Sequence, residues 1–209
     1  LAGLPATYTE NEEEATSLDI TLHDSVMDTD LVLTYSVYED YPVVTRSARL
    51  VQKGNQKIRL ENVMSAAVEF PDMDYEMIHL SGAWARERYV KTRKLEMGIQ
   101  AVQSLAGTGS SSEQNPFIAL KRPHTTEDTG EVFGFSFVYS GNFLAQVEVS
   151  TYEMTRVMMG INPQGFSWEL SRDEEFQTPE VVMVYSDKGL NGMSQAYHRL
   201  YRDRLMRGK

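Results

Sequence analysis

One stretch, Gly130 to Ser150, constrains the fold of this chain more than any other. Phe133, Phe135, Phe137 and Tyr139 recur at every second position, so a strand sets all four rings on one face. Ser140-Gly141-Asn142 supplies residues that tolerate positive φ, and Phe143 to Val149 alternates again through Ala145 and Val147. Two alternating runs joined this way predict a β-hairpin with an aromatic inner face. Rings in that pattern are core material rather than an exposed binding platform. The centre of the chain is therefore structural, and its function has to be sought elsewhere.

The same period of two runs along most of the sequence. Leu18, Ile20 and Leu22 face one way, then Leu31, Leu33, Tyr35 and Val37, then Val44, Arg46, Ala48 and Leu50. Lys53-Gly54-Asn55 marks a turn into Lys57 to Leu60, which predicts a second hairpin. Val63 to Phe70 reads as a strand closed by Pro71-Asp72. Met77 to Val90 reads as one long strand with a bulge at Gly82. Ile99, Ala101 and Gln103 alternate weakly, and Leu105 to Asn115, rich in Gly and Ser, predicts a mobile loop. Strands follow at Phe117–Lys121, Val157–Met159, Phe166–Leu170 and Val181–Tyr185.

The pattern changes only once. From Leu190 to Met206, Met193, Ala196, Tyr197, Leu200, Tyr201 and Leu205 recur near 3.6 residues, and arginines crowd the last turns, where cations suit the helix dipole. Many short strands and one closing helix predict an all-β fold, a large antiparallel β-sandwich with a C-terminal amphipathic helix. The expected division is residues 1–189 as sandwich and 190–209 as a connector helix.

Composition narrows the function. The 209 residues hold no cysteine and carry a net charge of −10. Disulfides and thiolate sites are excluded, which suits a cytoplasmic protein, and no run approaches the roughly 18 apolar residues of a membrane span. The acidic balance argues against nucleic acid and leaves neutral substrates such as sugars open. The chain opens on Leu1 without an initiator methionine and stops directly after the helical pattern, so a piece of a longer protein is expected.

Chemistry-bearing patterns are weak. Asp28/Asp30 and Asp72/Asp74 sit in turn-like segments, where Asp is favoured for its backbone hydrogen bonds. His23, His79, His124 and His198 show no metal-ligand spacing, and neither a nucleophile elbow nor a phosphate loop is present. No catalytic residue, metal or cofactor is expected. Gly82 to Arg88 stands out more: in a strand, Trp84, Arg86 and Arg88 share one face. A Trp beside Arg suits sugar stacking, and equally a packed Trp under an Arg lid or an interface.

Read together, several blocks carry a resemblance. They are Gly3-Leu-Pro-Ala-Thr-Tyr8, Trp84-Ala-Arg-Glu-Arg88, Asn115-Pro-Phe117, Gly130 to Asn142, Gly160-Ile-Asn162, Phe176 to Ser186 and Gly189-Leu-Asn-Gly-Met-Ser194. In this order they resemble the N-terminal region of bacterial α-galactosidases of glycoside hydrolase family 36. The resemblance implies a supersandwich like that of galactose mutarotase, followed by a (β/α)8 barrel that carries catalysis. It implies cleavage of terminal α-galactosides such as melibiose and raffinose with retention, in commonly tetrameric enzymes. The family's nucleophile lies in a Lys-Trp-Asp motif, and no Trp-Asp pair occurs here, so no catalytic role transfers. What the resemblance leaves for this chain is packing on the barrel and neighbouring subunits, with Trp84 and Arg86 as substrate-binding candidates. A stand-alone carbohydrate-binding module and a purely oligomerising domain are the alternatives. The family also has residues ahead of the Gly3 block, so unpaired strand edges and uncovered apolar faces are expected.

Overall fold

The computed structural model describes residues 6–107 and 112–206. Strands are numbered in chain order. The large sheet runs from edge to edge as β1 (Ala15–Asp24), β2 (Thr29–Tyr38), β3 (Val43–Gln52), β15 (Val181–Ser186), β10 (Val132–Phe137), β9 (Gln114–Lys121), β6 (Glu76–Ala83) and β7 (Arg86–Lys94). The short β14 (Glu175–Gln177) also pairs with β3. A second sheet runs β5 (Met64–Phe70), β12 (Thr155–Ile161), β11 (Phe143–Val149), β8 (Gly98–Ser104). β4 (Ile58–Leu60) and β13 (Trp168–Leu170) form a small ribbon, and the helix α1 spans Gly189–Arg204. Sheet partners are antiparallel throughout.

The two sheets stack around one apolar core. Met77, Ile118, Leu120, Phe135, Phe137 and Val181 of the large sheet meet Phe70, Val102, Phe143, Val147 and Met159 of the small one. On the opposite face of the large sheet, Ile78, Ala119, Val132, Val182 and Val184 are covered by Met193, Ala196, Tyr197 and Leu200 of α1. The fold therefore has three layers, and α1 belongs to the packed body rather than trailing from it.

The aromatic face of β10 is core, as its alternation requires. The predicted hairpin is not formed. Both edges of β10 are taken by β9 and β15, and both edges of β11 by β12 and β8. The chain between them crosses from one sheet to the other, so the two strands lie face to face across the core. Alternation specifies which face is buried and leaves the edge partner open. The second predicted hairpin fails for the same reason: after its turn, β4 pairs with β13 and not with β3. The long strand from Met77 to Val90 is instead two strands, β6 and β7, folded back on each other. In β8 the inward face is Val102 and Ser104, the parity opposite to Ile99, Ala101 and Gln103. β9 begins at Gln114, inside the predicted loop, and residues 108–111 of that loop lie outside the described residues.

One side of the sandwich is uncovered. Leu18, Ile20 and Leu22 stand opposite Tyr35, Leu33 and Leu31, which in turn stand opposite Arg46, Ala48 and Leu50. The Arg46 guanidinium donates across the core to the Ser65 carbonyl in β5, so this face points toward the small sheet. The small sheet stops at β5, whose outer edge has no strand partner among the described residues. β1 and β2 overhang it, leaving Leu18 58% and Leu22 52% exposed. The expected uncovered apolar face is present. Where the overhang begins, a groove of about 540 Å³ opens between Tyr35, Val37, Phe70, Phe133, Met183 and Tyr185.

Polar ties close the remaining ends. Arg122 holds Asp72 with two bonds of 2.6 and 3.1 Å and Glu131 with one of 3.0 Å, and stacks 3.9 Å from the Tyr75 ring centre. Arg204 at the end of α1 grips Glu14 bidentately at 2.7 and 2.8 Å. Glu180 is buried, and Thr7 donates to it from both its backbone N–H and its hydroxyl, at 3.2 and 2.6 Å.

Two predictions follow from this packing. A Cβ on Gly134 would lie 2.8 Å from both Met193 Sδ and the Tyr197 ring, so Gly134→Val must push α1 off the sheet. A loss of about 2–3 kcal/mol in unfolding free energy is expected on chemical denaturation. Burial pushes the Glu180 carboxyl above its ordinary value, against the Thr7 and Thr45 hydrogen bonds that favour its ionised form. A raised folded-state pKa stabilises the fold at acid pH and loses that contribution as pH rises past the unfolded value, near about 4.3. Glu180→Gln, which keeps an acceptor for Thr7, should match the wild type at acid pH and melt higher at neutral pH; a constant difference between the two melting curves across pH would refute this.

Candidate functional site

The residues singled out from sequence as a candidate site gather at the tip of the β6–β7 hairpin. Gly82 is the position that makes the tip possible. A Cβ there would lie 2.4 Å from the Arg86 carbonyl oxygen and 2.7 Å from the Glu87 Cα, so only glycine lets the strands close. The register slips between Ser81 and Ala83, which confirms the bulge read from the sequence. Ala85, with φ of 62°, and Arg88, with φ of 63°, hold left-handed backbone that ordinary side chains adopt only at a cost of about 1 kcal/mol or more each.

This geometry corrects one expectation. Trp84 shares no strand face with Arg88, because the strand ends at Ala83 and resumes at Arg86, and the register slip there with left-handed Arg88 breaks the alternation between Arg86 and Arg88. Trp84 instead caps the turn, 86% exposed, and Arg86 opens the returning strand, also exposed. Among the described residues neither makes a ring contact, ion pair or cation–π contact with a neighbour. The reading of Trp84 as a packed ring under an Arg lid is excluded within this chain. Behind the tip lies a hollow of about 260 Å³ lined by Ser81, Gly82, Ala83, Arg86, Tyr89 and Lys91. Below it His79 is buried, with Nδ1 3.0 Å from the Ser81 hydroxyl. Burial, then the nearby Arg93 and Lys91, push the His79 pKa down against a Gln114 hydrogen bond that raises it.

Two of the acidic residues singled out from the sequence, Asp30 and Asp72, are held by structural partners. Asp30 is not in a turn but inside β2, buried, 2.7 Å from His23 Nδ1 and paired with Lys53. Lys53 and His23 hold its carboxyl below the usual range. Arg122 does the same to Asp72. Asp28 does sit in a turn, at φ of 51°, and the Asp74 backbone N–H is bonded to Asp72. Among the described residues no group of three His, Asp or Glu side chains is placed to hold a metal ion.

Sequence reasoning missed two features. The Arg122 network joins residues far apart in the chain, and nothing local announces it. The run Arg86 to Lys94 was legible and passed over: five cations against the single carboxylate of Glu87 in an acidic chain.

Comparison with known proteins agrees with this architecture. Residues 1–171 match the model of the glycosyl hydrolase family 36 N-terminal domain, and residues 175–209 match that of melibiase. The chain is 56% identical to α-galactosidase AgaA of Geobacillus stearothermophilus, over all of this chain and 28% of that protein. The crystal structure of AgaA superposes with a TM-score of 0.97, covering 100% of this chain and 29% of that one. Structures of AgaA variants have been solved with stachyose and with raffinose. The Lactobacillus brevis α-galactosidase structure, 38% identical, superposes with a TM-score of 0.94 over 98% of this chain and 28% of its own. This chain thus spans less than a third of the relatives it matches. On the family match across residues 1–171 and the shared fold, the chain belongs to the glycosyl hydrolase family 36 N-terminal domain family.

Proposed function

We propose that this chain serves as the non-catalytic N-terminal domain of an α-galactosidase that hydrolyses terminal α-galactosides such as melibiose and raffinose with retention. The observation that carries the reading is the hairpin tip. A Trp 86% exposed on a backbone with left-handed residues at Ala85 and Arg88 is held out by structure, not by neglect. An indole face stacks on the apolar face of a galactose ring, and the Arg86 guanidinium beside it donates to ring hydroxyls. The tip then lends a wall to a galactose pocket whose carboxylates lie in a catalytic barrel.

The overhanging face of β1 and β2 fits the same role. Leu18, Ile20 and Leu22 form an apolar strip that further polypeptide of the enzyme covers, either its own barrel or a neighbouring subunit in a tetramer. α1 packs on the sheet through Met193, Tyr197 and Leu200 and leads out of the sandwich toward the barrel. The absence of cysteine suits a cytoplasmic enzyme.

In an α-galactosidase carrying this domain, Trp84→Ala should raise KM for raffinose by about five- to tenfold, the worth of one aromatic stack, and leave the melting temperature unchanged. Steady-state kinetics beside a thermal melt decide it. An unchanged KM would remove Trp84 from the substrate path.

A further inference from the structure

β7 is the outermost strand of the large sheet, and no strand pairs with its free edge among the described residues. All of its nine residues are exposed, an edge of about 30 Å. Arg86, Arg88, Lys91, Arg93 and Lys94 stand on it, and none makes an ion pair or hydrogen bond through its side chain with another described residue. That is unusual for this molecule. Arg49, Lys53, Arg59, Lys121, Arg122, Arg156 and Arg204 each hold a carboxylate. Glu76 stands opposite Lys94 in the register, and its carboxylate is taken by Lys121 from the other side. In a chain of net charge −10, one strand edge thus concentrates uncompensated positive charge.

Register sorts these cations by face. Arg93 and Lys91 stand opposite Met77 and His79, both buried, so they share the inward face with Tyr89, which stands opposite Ser81. Val90 and Thr92 stand opposite Leu80 and Ile78 on the other face. Positive charge on an edge strand repels basic strands and would be buried unpaired against a neutral one, the ordinary defence against edge-to-edge aggregation. The same arrangement leaves one kind of strand welcome, because an acidic one gains both the ladder hydrogen bonds and the charge pairs.

We propose that the β7 edge is an interaction surface for an acidic polypeptide segment, which adds to the large sheet as one further strand. Carboxylates at alternate positions of that segment face Lys91 and Arg93, and its backbone takes up the N–H and C=O groups that β7 leaves unpaired. A strand is favoured over a nucleic acid because from Tyr89 to Lys94 the edge keeps regular register and offers a row of backbone groups, which a phosphate chain does not use.

The probe is a short fluorescein-labelled peptide of alternating Glu and Thr, followed by fluorescence anisotropy with the 209-residue chain. Saturable binding is expected, weakening at least about tenfold between roughly 50 and 300 mM salt. Lys91→Glu with Arg93→Glu should weaken it about tenfold or more, and Lys91→Gln with Arg93→Gln by less, with unchanged circular dichroism as the folding control. Hydrogen exchange should show new protection confined to amides of residues 86–94. The proposal is overturned if the peptide does not bind at low salt, leaving the cations as an edge defence only. It is equally overturned if a heparin oligosaccharide binds while the peptide does not, or if binding leaves exchange in β7 unchanged. None of these readouts depends on galactoside hydrolysis, so the role proposed for Trp84 stands or falls separately.

Discussion

The constraint on which the rest depends is that the middle of the large sheet must be dry on both faces. β10 meets the small sheet through Phe133, Phe135 and Phe137 and meets α1 through Val132 and Gly134. A strand with rings on one side and a methyl-sized gap on the other can sit only between a thick layer and a close one. The Tyr197 ring fills that gap, and its hydroxyl donates 3.0 Å to the Val182 carbonyl on the neighbouring strand. Remove that closeness and the helix loses its seat, and the outer core with it.

Toward its two edges the sheet has less cover, and that is where its surfaces become useful. At the β1 edge the apolar strip of Leu18, Ile20 and Leu22 asks for burial. At the β7 edge charge, rather than a covering layer, protects the strand. The hairpin tip between β6 and β7 rises from this second edge, so Trp84 is carried on a rigid pair of strands rather than on a loose loop. For the wall role proposed for Trp84 that matters, since a stacking ring contributes most when its position is fixed before the sugar arrives.

How much of this the sequence disclosed depends on the range of the interaction. The alternation of Phe133, Phe135 and Phe137 marked a buried face, and the 3.6 period from Met193 to Leu200 marked a helix, because both are local steric facts. The partner strands were not legible. Nothing near Phe137 or Phe143 says that β15 and β12 will claim their edges, so a crossing between sheets read as a hairpin. Gly82 was legible as a bulge, but the turn two residues on depends on Ala85 accepting left-handed backbone, which composition does not advertise. Trp84 and Arg86 were singled out by residue type, Trp beside Arg, and only their strand geometry was read wrongly. The Arg122 cluster was invisible, since it joins segments some fifty residues apart.

The role proposed for this domain is to complete a site without performing its chemistry. Asp72, Asp30 and Glu14 are held by Arg122, Lys53 and Arg204, Glu180 is buried beneath Thr7, and burial pushes the His79 pKa down. The most direct measurement of that claim is hydrolysis of p-nitrophenyl α-galactoside by residues 1–209 alone. The account predicts no release of nitrophenol above the uncatalysed rate from well-folded protein. Turnover by this chain would contradict it, and would mean that two of the carboxylates assigned here to structure act as nucleophile and acid instead.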